Sequence, residues 1–111
     1  MFTEVQSYEE FLKMKTVEPG LLAYFSTDTC NVCKVLKPKV AEMVTNEFPK
    51  MKLAYVRSDK LPAAAAQNRV FVAPTILVFF DGQESIRKSR SIGIDELHHE
   101  IERPYSMIFS E

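Results

Sequence analysis

Apolar and polar positions change their period several times along this chain, and each change marks an element. Thr75-Ile76-Leu77-Val78-Phe79-Phe80 is an unbroken apolar run, as expected of a central strand covered on both faces. Leu21 to Ser26 reads as a second buried strand, and Met51 to Val56 as a third, interrupted only by Lys52. Between these two the period becomes helical. Cys33, Leu36, Val40, Met43, Val44 and Phe48 fall on one face of an amphipathic helix from Lys34 to Phe48. Lys34, Lys37, Lys39 and Glu42 lie mostly away from that face. Pro38 sits inside the helix, where its missing N–H predicts a kink.

Punctuation between the periodic segments supplies the rest. Phe2 to Val5 predicts a short strand, and Ser7 followed by Glu10 forms a capping-box pattern for a helix over Tyr8 to Lys15. Pro19-Gly20 ends that segment. Asp59 and Pro62 predict a short helix over Ala63 to Gln67. Asp81-Gly82 is a hairpin signal, and Gln83 to Ile92 would return as an antiparallel strand. Arg87, Lys88 and Arg90 suit an exposed sheet edge there. A last helix from Asp95 to Arg103 is expected to stop at Pro104, with the apolar tail Pro104 to Phe109 packing back onto the domain. The order β-α-β-α-β-α-β-β-α predicts an α/β fold over residues 1–111 as one domain. Its mixed central sheet would be flanked by helices on both faces.

Composition narrows the function. The chain has 111 residues, of which 46% are hydrophobic and 26% charged, enough to bury a core without a structural metal. A net charge of −1 offers no basic surface for nucleic acid. Thr3, Glu4 and Gln6 interrupt any leader-like apolar run, and Thr75 to Phe80 is too short to cross a bilayer. The expectation is a cytoplasmic monomer without membrane or nucleic-acid partners.

Two cysteines, Cys30 and Cys33, are the chain's whole complement. In a reducing compartment such a pair points to catalysis or metal rather than to a structural bridge. Its place between a buried strand and a helix puts the sulfurs where first-turn N–H groups and the helix dipole favour a thiolate. The adjacent His98 and His99 point about 100° apart on a helix, which argues against a shared metal with the cysteines. The ordinary reading puts His98 beside the core and His99 in solvent.

With these elements in place, the chain resembles the thioredoxin family along nearly its whole length. Cys30-Asn31-Val32-Cys33-Lys34 is similar to the family's redox motif and the lysine after it. Pro38 matches the proline of the active-site helix, and Val72-Ala73-Pro74-Thr75 the segment with the family's cis-proline. Gly93 matches a family glycine beside the active-site groove. The resemblance implies the thioredoxin fold, with Cys30 as nucleophile and Cys33 as the thiol that resolves the mixed disulfide. It further implies a substrate groove bordered by Thr29, Asn31, Val32, Ala73, Pro74 and Gly93, shallow and weakly selective because these side chains are small or neutral. No cofactor beyond the redox disulfide is implied. The expected partners are protein disulfides and a thioredoxin-reductase-like electron donor.

The departures are specific. Thr29 stands where the family usually has tryptophan, and Asn31-Val32 where it has Gly-Pro. The positions of the family's acid and lysine, which relay a proton to the inner cysteine, align with Tyr24 and Tyr55. These two tyrosines and Lys34 are therefore candidate modulators, with plain core packing as the alternative for the tyrosines. With no cation between the cysteines, the Cys30 pKa is expected to fall only modestly. A disulfide reductase is the leading reading, and a thioredoxin-like peptide-binding module with little or no redox turnover the alternative. A glutaredoxin-like enzyme fits less well, because a Gly-Gly stretch after the cis-proline strand is missing.

Overall fold

The computed structural model describes residues 2–109. In chain order these form β1 (Phe2–Glu4), α1 (Tyr8–Val17), β2 (Gly20–Ser26), α2 (Asn31–Glu47), β3 (Lys52–Arg57), α3 (Pro62–Gln67), β4 (Thr75–Phe80), β5 (Gln83–Ser89) and α4 (Ile94–Phe109). The strands make one sheet in the order β1-β3-β2-β4-β5. Both β1 and β2 run parallel to β3, whereas β4 is antiparallel to β2 and β5 to β4. This is the mixed α/β sheet that the element order predicts, and it is the architecture that the resemblance to the thioredoxin family implies.

Alternation along the buried strands builds two cores. Leu22 and Tyr24 of β2, Leu53 of β3 and Ile76, Val78 and Phe80 of β4 face α2 and α4. Leu21, Ala23 and Phe25, with Ala54, Val56, Leu77 and Phe79, face α1 and α3. Every residue of β2 is buried, consistent with a strand covered on both sides. The face of α2 read from helical spacing is the one that packs inward, since Cys33, Leu36, Val40, Met43, Val44 and Phe48 are all buried.

Local signals act largely as expected. Ser7 Oγ accepts from the Glu10 N–H at 3.1 Å, and the Glu10 carboxylate accepts from the Gln6 N–H at 3.2 Å. Asp81 and Gly82 both take positive φ, 53° and 80°, as a tight hairpin turn requires.

Several boundaries differ from the sequence reading, most by a residue or two and four with a structural reason or consequence. Helix α2 begins at Asn31, not Lys34, which makes Cys30 its N-cap. Leu61, not Asp59, precedes α3, with Pro62 in its first turn. Strand β5 ends at Ser89 rather than Ile92, because Arg90 turns to φ 65° and its N–H donates to the Pro74 carbonyl at 2.9 Å. Finally, Pro104 does not stop α4, which runs on to Phe109. The residues after Pro104 have apolar partners. The Tyr105 ring stacks 4.9 Å from Phe48 and 4.7 Å from Phe109, and its hydroxyl accepts from the Lys50 N–H at 3.1 Å. Gly20 lets the helix end approach, since a Cβ there would sit 2.9 Å from the Phe109 ring. These contacts outweigh the one helical hydrogen bond that proline removes. The basic edge is also tied down more than expected. Lys88 pairs with Glu96 and Glu100 of α4, and Arg87 with Glu84.

Candidate active site

Cys30 and Cys33 are joined by a disulfide at the N-terminus of α2, with their Cα atoms 5.4 Å apart. Cys30 caps the helix through its own sulfur, which accepts the Cys33 N–H at 3.2 Å. A sulfur at this position receives a first-turn N–H and the positive end of the helix dipole, both of which favour its anionic form. Cys30 is partly exposed, whereas Cys33 is 4% exposed. The outer sulfur can therefore meet a partner while the inner one lies against the core.

The loop before Cys30 is braced from two sides. Its carbonyls take the Cys30 N–H onto Thr27 and the Ser58 N–H onto Ser26, at 3.2 Å and 2.8 Å. Asp28 forms an ion pair with Arg57 at the end of β3.

Beneath the disulfide lies an aromatic cluster. Tyr24 is wholly buried, and its hydroxyl donates to the Cys33 carbonyl at 3.4 Å. Burial, and secondarily the neighbouring Tyr55, raise its pKa far above the ordinary phenol range. The Tyr24 ring lies 6.2 Å from that of Tyr55 and 5.7 Å from that of Phe2. Lys37 of α2 sets its ammonium 3.6 Å from the centre of the Tyr55 ring, a close cation–π contact. A narrow cavity of about 210 Å³ reaches from the cysteines past Lys34 and Lys37 to Tyr55.

Two open clefts meet at Ala73. One, of about 570 Å³, holds Thr29, Cys30, Phe71 and Ala73 on its walls. The other, of about 620 Å³, is lined by Val32, Ala73, Pro74 and Gly93 among others. The Ala73–Pro74 peptide is cis. Thr75 Oγ1 donates to the Val72 carbonyl at 2.8 Å, and the Arg90 N–H bond to Pro74 draws the Gly93 loop alongside.

The structure thus places Thr29 and Ala73 in one cleft with Cys30, and Val32, Pro74 and Gly93 in the adjoining cleft that shares Ala73, while Asn31 is exposed on the first turn of α2. Tyr24, Lys34 and Tyr55 gather on the Cys33 side. Phe71, Lys37 and the Asp28–Arg57 pair were not singled out from sequence. The helical period points to Lys37 as a solvent-facing residue, and only the placement of Tyr55 gives its ammonium a second role. His98 lies 5.0 Å from the Phe48 ring and 3.4 Å from Glu47, and His99 is exposed. Among the described residues, no three His, Cys, Asp or Glu side chains gather as a metal site. Nor, among them, is any helix long and apolar enough to cross a membrane.

Comparisons with known proteins agree with this geometry. The thioredoxin family profile matches residues 1–103. The chain is 30% identical over 105 residues to the thioredoxin-like protein YdfQ of Bacillus subtilis, covering 95% of this chain and 90% of that one. It is 34% identical over 94 residues to a thioredoxin of Chlamydia trachomatis, covering 84% and 86%. Among solved structures, a mutant thioredoxin from Halobacterium salinarum superposes with a TM-score of 0.80 at 23% identity, over 97% of this chain and 90% of that one. This last likeness speaks to the fold.

Proposed function

The chain belongs to the thioredoxin family, and from that premise we propose that it reduces disulfide bonds in proteins through a Cys30/Cys33 dithiol–disulfide cycle. Family membership and the bonded cysteine pair make thiol–disulfide exchange its general chemistry. The finer reading rests above all on one observation: Cys30 caps α2 through its sulfur at an accessible cleft, while Cys33 is buried behind it.

In the proposed cycle, the Cys30 thiolate attacks one sulfur of a substrate disulfide. A Cys30–substrate bond forms as the substrate bond breaks, and the departing sulfur leaves as a thiolate that takes up a proton. Cys33 then loses its proton and attacks Cys30 Sγ. The Cys30–Cys33 bond forms and the second substrate sulfur leaves, likewise to be protonated. The substrate gains two electrons and two protons, and the protein's dithiol becomes the disulfide. Restoring the dithiol takes two electrons from an external dithiol donor such as a thioredoxin-reductase-like protein. The same reading sets the protein in the cytoplasm as a monomer.

Cys33 is the harder sulfur to ionise, since burial penalises its thiolate. Tyr24 is no base for it, because a phenol with a raised pKa stays protonated at neutral pH. The resolving step is therefore proposed to be slow near pH 7 and faster at higher pH. This same feature favours the second reading, a thioredoxin-like module that binds a peptide in the clefts without rapid turnover.

The deciding experiment equilibrates the protein in graded glutathione buffers, then alkylates it and weighs the Cys30 and Cys33 adducts. A reversible two-electron transition with a reducing midpoint supports the reductase. An oxidising midpoint redirects the reading to an oxidase or isomerase. No disulfide at any poise leaves the binding module.

A further inference from the structure

Phe71 is the largest feature of the site that the proposed cycle does not use. Its side chain is 81% exposed, although it stands in an apolar run whose neighbour Val70 is buried. The outward position is built in on both sides. Before it, Arg87 donates to the carbonyls of Asn68 and Arg69, at 2.7 Å and 3.2 Å, and Arg69 adopts φ 55°. After it, Thr75 Oγ1 holds the Val72 carbonyl. The ring so presented forms a wall of the cleft that contains Cys30. At the position just before Cys30 the side chain is only Thr29, so no aromatic ring stands there.

We propose that Phe71 is a specificity-determining residue, the platform on which an apolar side chain next to the substrate's reactive cysteine packs. The inference rests on the reductase reading. Attack brings a substrate sulfur to Cys30 Sγ, and the flanking residues of an extended substrate follow at roughly 3.3 Å per residue. A side chain next to that cysteine is thereby delivered into the Phe71 cleft. Burying an apolar side chain against the ring removes water from both, whereas a polar side chain loses hydration without a partner. Asp59, on the same cleft, further disfavours acidic neighbours. The protein would therefore select disulfides flanked by apolar residues, rather than present the weakly selective surface expected from its small groove residues.

The test uses the full chain, reduced beforehand, and two short peptide disulfides that differ only in leucine or serine on both sides of the cysteine. The wild-type kcat/KM should be about tenfold higher for the leucine peptide. Phe71→Ser should bring that ratio close to one, and Phe71→Tyr should restore it. A ratio that is the same in wild type and Phe71→Ser overturns the proposal, since a merely structural loss slows both peptides alike. Reduction of hydroxyethyl disulfide by the wild-type protein reads the reductase activity separately. If that activity is lacking, binding of the leucine peptide with its cysteine changed to serine decides the matter. Tighter binding by wild type than by Phe71→Ser upholds the platform, and equal binding overturns it.

Discussion

On the α1/α3 side of the sheet, Phe11 packs 5.9 Å from Phe25 and 6.0 Å from Phe79, among buried apolar side chains such as Leu21, Val56 and Leu77. On the α2/α4 side, the next residues along the same strands meet a disulfide and a phenol as well as apolar groups. The two faces differ by a single step along β2, because neighbouring side chains point to opposite sides. Phe25 belongs to the face that only packs, and Tyr24 to the one that also borders the chemistry. A substitution on the first face should therefore change stability alone. On the second it should change stability and sulfur chemistry together.

The largest effect should come from Cys33→Ser, which removes the resolving sulfur. Turnover should be abolished, and trapping with a peptide disulfide should accumulate a mixed disulfide through Cys30. Next comes Phe11→Ala on the packing face, with an expected loss of about 3–5 kcal/mol of stability by urea unfolding. The redox midpoint of the cysteine pair should stay where it was, and a shifted midpoint would break the comparison.

Tyr24 tests the mixed face. Tyr24→Asp places a carboxylate behind Cys33 and should speed turnover near pH 7 by about tenfold, at a cost in stability. An unchanged rate would show that proton removal from Cys33 does not limit the cycle. Tyr24→Phe forfeits only a long hydrogen bond, so its stability should change by less than about 1 kcal/mol.

The smallest effects concern charge. Because the fold raises the Tyr24 pKa, the stability tied to its neutral form is complete below the ordinary phenol value of about 10. It is lost as pH rises above that value, and Tyr24→Phe should flatten the alkaline limb of the stability curve. Arg57→Ala breaks a partly exposed ion pair and should cost less than about 1 kcal/mol, the loss shrinking in salt.

Where burial is periodic, the fold was legible in the sequence. The inward face of α2, the apolar run of β4 and the Asp81-Gly82 turn each follow from a local rule that tertiary packing does not oppose. Pro104 was misread because the local rule sees a lost hydrogen bond, whereas Tyr105 and Phe109 gain partners on Phe48 and beside Gly20. The cysteine motif and Pro74 announce the site, but Phe71 does not announce itself. In Val70-Phe71-Val72 all three residues are apolar, and it is the turn at Arg69 with the Arg87 and Thr75 hydrogen bonds on either side that sets the ring facing out. Lys37 was hidden for a related reason, since its partner Tyr55 lies on another element, β3, and only the tertiary fold brings that strand under α2.

The contact between Tyr24 and Cys33 has an optical consequence. The chain has four tyrosines and no tryptophan, so no indole captures the excitation of its phenols. A disulfide quenches a nearby excited phenol by accepting its electron, and a pair of thiols does so far less. Tyr24, bonded to the inner cysteine's carbonyl, and Tyr55, on the wall of the cavity that both cysteines line, should thus brighten on reduction and report the pair's oxidation without any attached dye.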